Sequence, residues 1–317
     1  MNRYAVFGGC LSSDVDFPEL MPCLESPHWT LRTADSISGA EPSGYLGSDQ
    51  VDPNVQVRLY RTEHGYLLRF DDTGDFLISE DGVGVEWRPA SGARLEAARI
   101  DVLGRALPLA MHVQGRFCLH GSAVAVQSGG IAFLAPKFGG KSTLALALTN
   151  AGARLVTDDT VAVDPGPPAR LHPGVHTLRL WKDSACRLSD GPVRDALPGD
   201  KQLVEPCPDR LQLEPVGLQA IYLLSPVSQQ QGPPARRERL SEVVSAVALV
   251  RHAKLGPLFG GPESMVWLRW AAALARAVPI YHLNVVRDFA RLPEVVGQLF
   301  EWHAEPVGAT QRVEAAG

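Results

Sequence analysis

Lys141, Ser142 and Thr143 follow Gly139-Gly140 and stand between two apolar runs, Ile131-Ala132-Phe133-Leu134 and Leu144-Ala145-Leu146-Ala147-Leu148. A lysine and a hydroxyl at the end of a glycine loop can handle an anion. The ammonium reaches outer phosphate oxygens, and the hydroxyl can ligate Mg²⁺. The flanking runs read as a strand entering the loop and a helix leaving it, so backbone N–H groups at the helix start also point at the anion. This is the phosphate-binding layout G-x-x-x-x-G-K-[ST], with Ala135 where the motif has glycine. Gly139 and Gly140 are expected to supply positive φ and close backbone approach. Lys137, inside the loop, can touch a terminal phosphate.

Seventeen residues beyond Lys141, the pair Asp158-Asp159 ends a second apolar segment, Ala153-Arg154-Leu155-Val156-Thr157. Between them the pattern predicts a helix of about ten residues that stops at Ala151-Gly152. Strand, loop, helix and strand then make one β–α–β unit, with two carboxylates at a strand end near the phosphates. Carboxylates there can hold Mg²⁺, accept a proton from an attacking hydroxyl, or both. The competing reading is a polar hairpin corner, Asp158-Asp159-Thr160, before Val161-Ala162-Val163. His120, in Cys118-Leu119-His120-Gly121-Ser122-Ala123-Val124, precedes the hairpin that feeds the loop strand. A histidine there can move a proton or meet a phosphate, unless it is structural.

In order and spacing, His120-Gly121, a short hairpin, Gly139-Gly140-Lys141-Ser142, a helix and Leu155-Val156-Thr157-Asp158-Asp159 resemble the catalytic domain of HPr kinase/phosphorylase and the wider HPr-kinase-like group. The resemblance implies an α/β fold, a P-loop HPr-kinase-like C-terminal domain, and ATP with Mg²⁺. It implies that Asp158 is the general base on the acceptor hydroxyl and that Asp159 and Ser142 lie at Mg²⁺. Lys141 would then hold the β- and γ-phosphates, with Gly139, Gly140, Thr143 and Lys137 also at the nucleotide and His120 beside the reacting group.

The glycine-rich signature carrying a Mg²⁺-ligating glutamate in true HPr kinases is not visible, and His172-Pro173-Gly174-Val175-His176 stands about where it would be. Leu178-Arg179-Leu180-Trp181-Lys182-Asp183 and Lys201-Gln202-Leu203-Val204 are similar to segments of the like-group. Some of its members resemble kinases of a serine hydroxyl on a lasso-peptide precursor. The implied activity is ATP-dependent phosphorylation of a serine in a peptide or protein acceptor. The alternatives are a small-molecule kinase acting on a sugar or alcohol, and a non-catalytic ATP-binding regulatory protein. HPr kinases assemble into hexamers, which leaves a homo-oligomer open. Arg179, Lys182 and Lys201 can neutralise phosphate or orient an acceptor carboxylate.

Composition sets the frame for this chemistry. The chain has 317 residues, 45% hydrophobic and 21% charged, as expected of a globular protein with a sizeable core. A formal net charge of -5 gives no reason to expect nucleic acid or an anionic membrane as partner. Five scattered cysteines without a Cys-x-x-Cys pair argue against a disulfide framework and fit a reducing cytoplasm. Neither a signal peptide nor a membrane-spanning run is evident, so the expected localisation is cytoplasmic.

The expected organisation is a small β-rich N-terminal domain over residues 1–100, a P-loop kinase domain over 101–304, and a flexible tail over 305–317. Four alternating segments, at 55–60, 65–70, 75–79 and 83–87, predict an antiparallel meander. That sheet is either an acceptor-docking module or a packing domain. Residues 36–54, rich in Ser, Gly, Pro and Asp, read as loop. A helix over about 101–113 is expected to join the two parts, and 228–237 reads as an exposed loop. Further helices are expected at 241–254, 263–277 and 292–303, with a strand at 278–285.

Overall fold

Strands of alternating character build the first part of the molecule. The computed structural model describes residues 1–195, 201–227, 232–260 and 264–304. Nine strands form one sheet: β1 (Asn2–Val6), β2 (Gly9–Ser13), β3 (Met21–Pro22), β4 (Trp29–Thr33), β5 (Gly44–Asp52), β6 (Val55–Thr62), β7 (Gly65–Phe70), β8 (Gly74–Ser79) and β9 (Gly84–Pro89). Their order is β3-β1-β2-β4-β9-β8-β7-β6-β5. The expected meander is β6 to β9, where Val57, Leu59, Phe76 and Val85 are buried on the core side. Gly65 (φ 140) permits the tight entry to β7, since a Cβ there would lie 2.1 Å from the Ile78 carbonyl oxygen.

The expected loop over 36–54 needs correction, because it contains β5. This strand forms the sheet edge and alternates weakly, and its far side meets residues 257–260. Backbone pairing with β6, broken by two register shifts, holds it, with Leu46 and Val51 packed against the core and Gly260 N–H donating to the Leu46 carbonyl at 3.2 Å.

Next, α1 (Leu95–Asp101) runs through a π-helical turn (Val102–Ala106) into α2 (Leu107–Val113). The expected joining helix therefore begins earlier, at Leu95, where Leu-Glu-Ala-Ala-Arg are all good helix formers.

The second sheet is built on β10 (Phe117–Val126). It pairs antiparallel with β11 (Gly129–Leu134) through Gly121–Val126, with β12 (Arg154–Thr157) through Ala123–Ala125, and with β13 (Thr160–Asp164) through Phe117–His120. Because β12 and β13 both run antiparallel to β10, the chain keeps its direction through Asp158-Asp159. The hairpin-corner reading is overturned. What interrupts the strand is a three-residue turn: Thr160 N–H donates to the Asp158 carbonyl at 2.8 Å, with Asp159 at φ 67.

β14 (Arg170–His172) continues this side of the sheet. β15 (Leu178–Trp181), β16 (Val193–Asp195) and β17 (Lys201–Val204) form a small third sheet, with α4 (Lys182–Leu188) following β15. β18 (Val216–Val227) lies parallel to both β11 and β20 (Ile280–Val286), and β19 (Ala235–Arg239) closes the edge. Three parallel strand ends thus open on the same side, the usual place for a site in such sheets. The packing helices are α3 (Lys141–Asn150), α5 (Glu242–Arg251), α6 (Met265–Ala277) and α7 (Leu292–His303).

One buried apolar cluster includes Trp29, Phe76, Leu107, Leu119 and Trp267, and so draws on both sides of residue 100. A second surrounds α3 with Phe133, Leu144, Leu148, Tyr222 and Leu299. Among the described residues no helix is long and apolar enough to cross a membrane. The expected tail (305–317) and part of the expected loop (228–231) lie outside the described residues.

Candidate active site

The loop begins where β11 ends, at buried Ala135. Gly139 N–H donates to the Pro136 carbonyl at 3.1 Å, and Gly140 (φ 85) caps α3. Positive φ falls on Phe138 (φ 71) and Gly140, not on Gly139, which corrects the expectation. Gly139 is needed for space instead: a Cβ on it would sit 2.4 Å from Ala135 Cβ and 3.0 Å from the Pro136 oxygen. Alanine at 135 is therefore accommodated because residue 139 has no side chain. Gly139→Ala is expected to cost about 1–3 kcal/mol by overpacking. The double variant with Ala135→Gly should recover most of that loss in thermal melts, because the colliding methyl is gone.

Phe138 is exposed but not unsupported. Its ring stacks on Trp181 at 5.0 Å and 11°, and the Lys201 ammonium lies 5.5 Å from the Trp181 ring centre.

Helix geometry leaves the N–H groups of Lys141, Ser142 and Thr143 without intrahelical acceptors, because the first helical bond runs from Leu144 N–H to Gly140 O. These donors and the helix dipole make an anion cradle. Lys141 is buried (8% exposed), and its ammonium donates to Ala135 O at 2.9 Å and Pro136 O at 3.3 Å. Burial pushes it below its ordinary lysine value, while Asp158 and Asp159 oppose that shift. Thr143 Oγ1 reaches Ser184 Oγ at 3.3 Å, tying the helix start to α4.

Asp158 and Asp159 face different ways although they are neighbours. Asp158 is 3% exposed, and its carboxylate accepts from Ser122 Oγ at 2.5 Å, Ser142 Oγ at 2.9 Å and Arg179 N–H at 3.1 Å. The backbone of Asp158 is braced by Val175, whose carbonyl takes its N–H at 2.9 Å. The segment His172-Pro173-Gly174-Val175-His176 thus supports Asp158. Its histidines turn elsewhere, His172 to Asp164 at 2.8 Å and His176 to the Gln212 carbonyl at 3.1 Å.

The side chain of Asp159 is 47% exposed to the cleft. Lys254 Nζ lies 2.5 Å from its Oδ2, and His120 Nδ1 lies 3.3 Å from its Oδ1 and 3.2 Å from its carbonyl oxygen. Burial of its surroundings would raise this carboxyl, but the Lys254 ammonium and the His120 contact outweigh that and hold it well below the usual carboxylate range.

Sequence reasoning placed His120, Lys137, Gly139, Gly140, Lys141, Ser142, Thr143, Asp158 and Asp159 at one site, and all nine line one cleft of about 1240 Å³. Arg179 and Lys201 line it as well, and Lys182 does not. Burial, with Arg179 nearby, pushes the Lys201 ammonium down. Of the two aspartates, Asp158 is the one that Ser142 Oγ touches, and Asp159 lines the same cleft.

The sequence reading missed Lys254, Ser122, and the Arg105–Asp49 ion pair (2.6 Å) on the cleft wall. Lys254 is far from Asp159 along the chain and arrives through backbone pairing. His120 N–H donates to His252 O at 2.8 Å, and Lys254 N–H donates to Cys118 O at 2.9 Å. Its only local signal is a lysine just past a helix end.

The donors present suit Mg²⁺. Ser142 and Asp158 are hard oxygen ligands in contact, and Mg²⁺ commonly takes one or two protein oxygens with phosphates and water completing its shell. Among the described residues no group of three or more His, Cys, Asp or Glu side chains forms a metal cage.

No protein-family model matches this chain, and no curated protein matches it. Among solved structures, it is similar to the Hpr(Ser) kinase/phosphatase from Coxiella burnetii at 15% identity and a TM-score of 0.29, over 59% of this chain and 95% of that one.

Proposed function

We propose that the chain is an ATP- and Mg²⁺-dependent phosphotransferase that moves the γ-phosphate to a serine hydroxyl of a peptide or protein. A lasso-type precursor peptide is one acceptor of this kind. The observation that carries the reading is the contact of a P-loop hydroxyl with a buried strand-end carboxylate, Ser142 with Asp158, beside a second carboxylate open to the same cleft. Amides at the start of α3 and the Lys141 ammonium would hold the phosphates. Mg²⁺, when bound at Ser142 and the aspartates, would neutralise charge on the β- and γ-phosphates. The carboxylates orient the acceptor hydroxyl and receive its proton. Asp49 of β5 and Arg105 of the π-helical turn line the same cleft and offer polar contacts to that acceptor.

The reading is tested by adding the chain and γ-labelled ATP to an extract of the source organism, with Lys141→Ala as control. Label in a peptide or protein that disappears with the variant is the expected result. Label only in a small molecule would move the reading to a sugar or alcohol kinase. ATP binding without any label would leave a regulatory nucleotide-binding protein.

A further inference from the structure

We propose that the third sheet carries a subsite for the outermost phosphate of the nucleotide: Lys201 of β17, braced on Trp181 of β15, reaches the γ-phosphate from outside the glycine loop. This rests on the phosphotransferase reading and adds to it how the site tells a triphosphate from a diphosphate.

Lys201 has the surroundings of an anion-binding lysine. It stands directly across from Trp181 in the β15–β17 pairing, and its ammonium lies 5.5 Å from that ring's centre. A lysine stem packs along an apolar surface while its charged head stays where an anion or water can reach it. Here that place is the cleft, which Lys201 lines. Among the described residues Lys201 makes no ion pair. Arg179 and Lys137 add like charge around it. Partly desolvated cations that repel one another are stabilised by an anion among them.

Its place along the cleft follows from the aspartates. Burial lowers the proton affinity of both Lys141 and Lys201, and Asp158 and Asp159 oppose that fall in both. Lys201 also pushes Lys141 down, so the two ammonium groups are close enough to share one polyanion. The amides at the start of α3 and Lys141 serve the phosphate chain from the loop side. The γ-phosphate is the one that must meet the carboxylates, where the acceptor hydroxyl arrives, and Lys201 lies in their field.

The glycine loop grips this arrangement. Phe138 has φ 71, an uncommon conformation for a bulky residue and one that persists only where its surroundings hold it. What holds it is Trp181, stacked on it at 5.0 Å and 11°. Phe138, Trp181 and Lys201 thus form a ladder from the loop to the third sheet, and Trp181 is a positioning residue for the lysine.

The test is titration calorimetry of ATP and of ADP, each with Mg²⁺, onto the full chain and its variants. The parent is expected to bind ATP at least about tenfold more tightly than ADP. Lys201→Met keeps an apolar stem on Trp181 and removes the charge. It should lose about tenfold in ATP affinity and stay within about twofold of the parent for ADP. Lys141→Ala should weaken both nucleotides, because its ammonium serves the β-phosphate as well. Trp181→Leu should lose part of the preference for ATP, and Trp181→Phe, which keeps a ring, should retain most of it. A role for Trp181 in folding alone would move both affinities together, and this pair carries the test if Lys201→Met does not fold. An unchanged ratio of the two affinities in Lys201→Met, or an equal fall in both, would overturn the subsite. A parent chain that binds neither nucleotide would instead overturn the phosphotransferase reading itself.

Discussion

Replacing Lys141 with alanine is expected to lower phosphoryl transfer by about 10³-fold and ATP affinity at least tenfold. The ammonium stands at the first residue of α3, within reach of the loop carbonyls at Ala135 and Pro136, and Lys141 is almost fully buried. In that poorly hydrated position its charge is screened little by water, so its attraction to a polyphosphate exceeds that of a surface lysine. The same burial lowers its proton affinity, and the two neighbouring aspartates offset part of this. Arginine should not substitute, because its planar fork cannot occupy the pocket of a single ammonium that bonds two carbonyls. Calorimetry of ATP binding and label transfer, checked by thermal melts for folding, measure the effect. Parent-level transfer by Lys141→Ala would mean that this loop is not the phosphate cradle.

Asp101→Asn is expected to stabilise the protein at pH 8 by roughly 2–4 kcal/mol, with the advantage fading toward pH 4. Asp101 is buried at the junction of α1 and the π-helical turn, where Thr73 Oγ1 donates to it at 2.6 Å. Burial pushes its carboxyl up to about 7 from 3.8, against the lowering effects of Thr73 and Arg105. A group raised in the folded state favours folding while it stays protonated there. Its contribution is complete below the unfolded value near 4 and is lost as pH rises through about 7. Above that, the folded protein must hold a buried charge. Asparagine keeps the acceptor for Thr73 and never ionises. Melting temperatures of the two proteins between pH 4 and pH 8 give the comparison. A constant difference across that range would mean that Asp101 is not protonated in the folded protein near neutrality.

The pH effect and the cleft meet at one element. Asp101 precedes the turn that carries Gly104 and Arg105, and Arg105 reaches β5 through Asp49. The edge strand of the first sheet, a π-helical turn and the glycine loop before α3 thereby line one cleft. A π-helical turn inside an otherwise α-helical segment is itself a frequent companion of functional sites.

That these residues gather in one candidate site was legible in local sequence, for physical reasons that are local. A loop that binds phosphate must sit between a strand and a helix, and that context is written in a few contiguous apolar and glycine residues. The meander β6 to β9 was legible for a similar reason, since period-two burial shows in every strand that has one dry face. Strand β5 was not, because an edge strand is defined by its backbone partner and carries no such period. Ala135 looked like a defect of the motif and is explained by a contact four residues away, with Gly139. The positive φ of Phe138 could not be read from its type, because its support comes from Trp181 on another sheet.

By itself the sequence determined the order of the parts: histidine strand, glycine loop with Lys141 and Ser142, helix, and aspartate pair, together with the hydrophobic periods that let them fold. Only the tertiary structure decided which aspartate touches Ser142, that β12 and β13 continue one direction along β10, and that Lys254 clamps Asp159 from 95 residues away. Adjacent residues in a sequence share a neighbourhood, but side-chain direction follows from φ and from strand pairing. Both carboxylates line the cleft, but Asp158 is almost fully buried against Ser122, Ser142 and the Arg179 N–H, while Asp159, at φ 67, is half exposed beside Lys254 and His120.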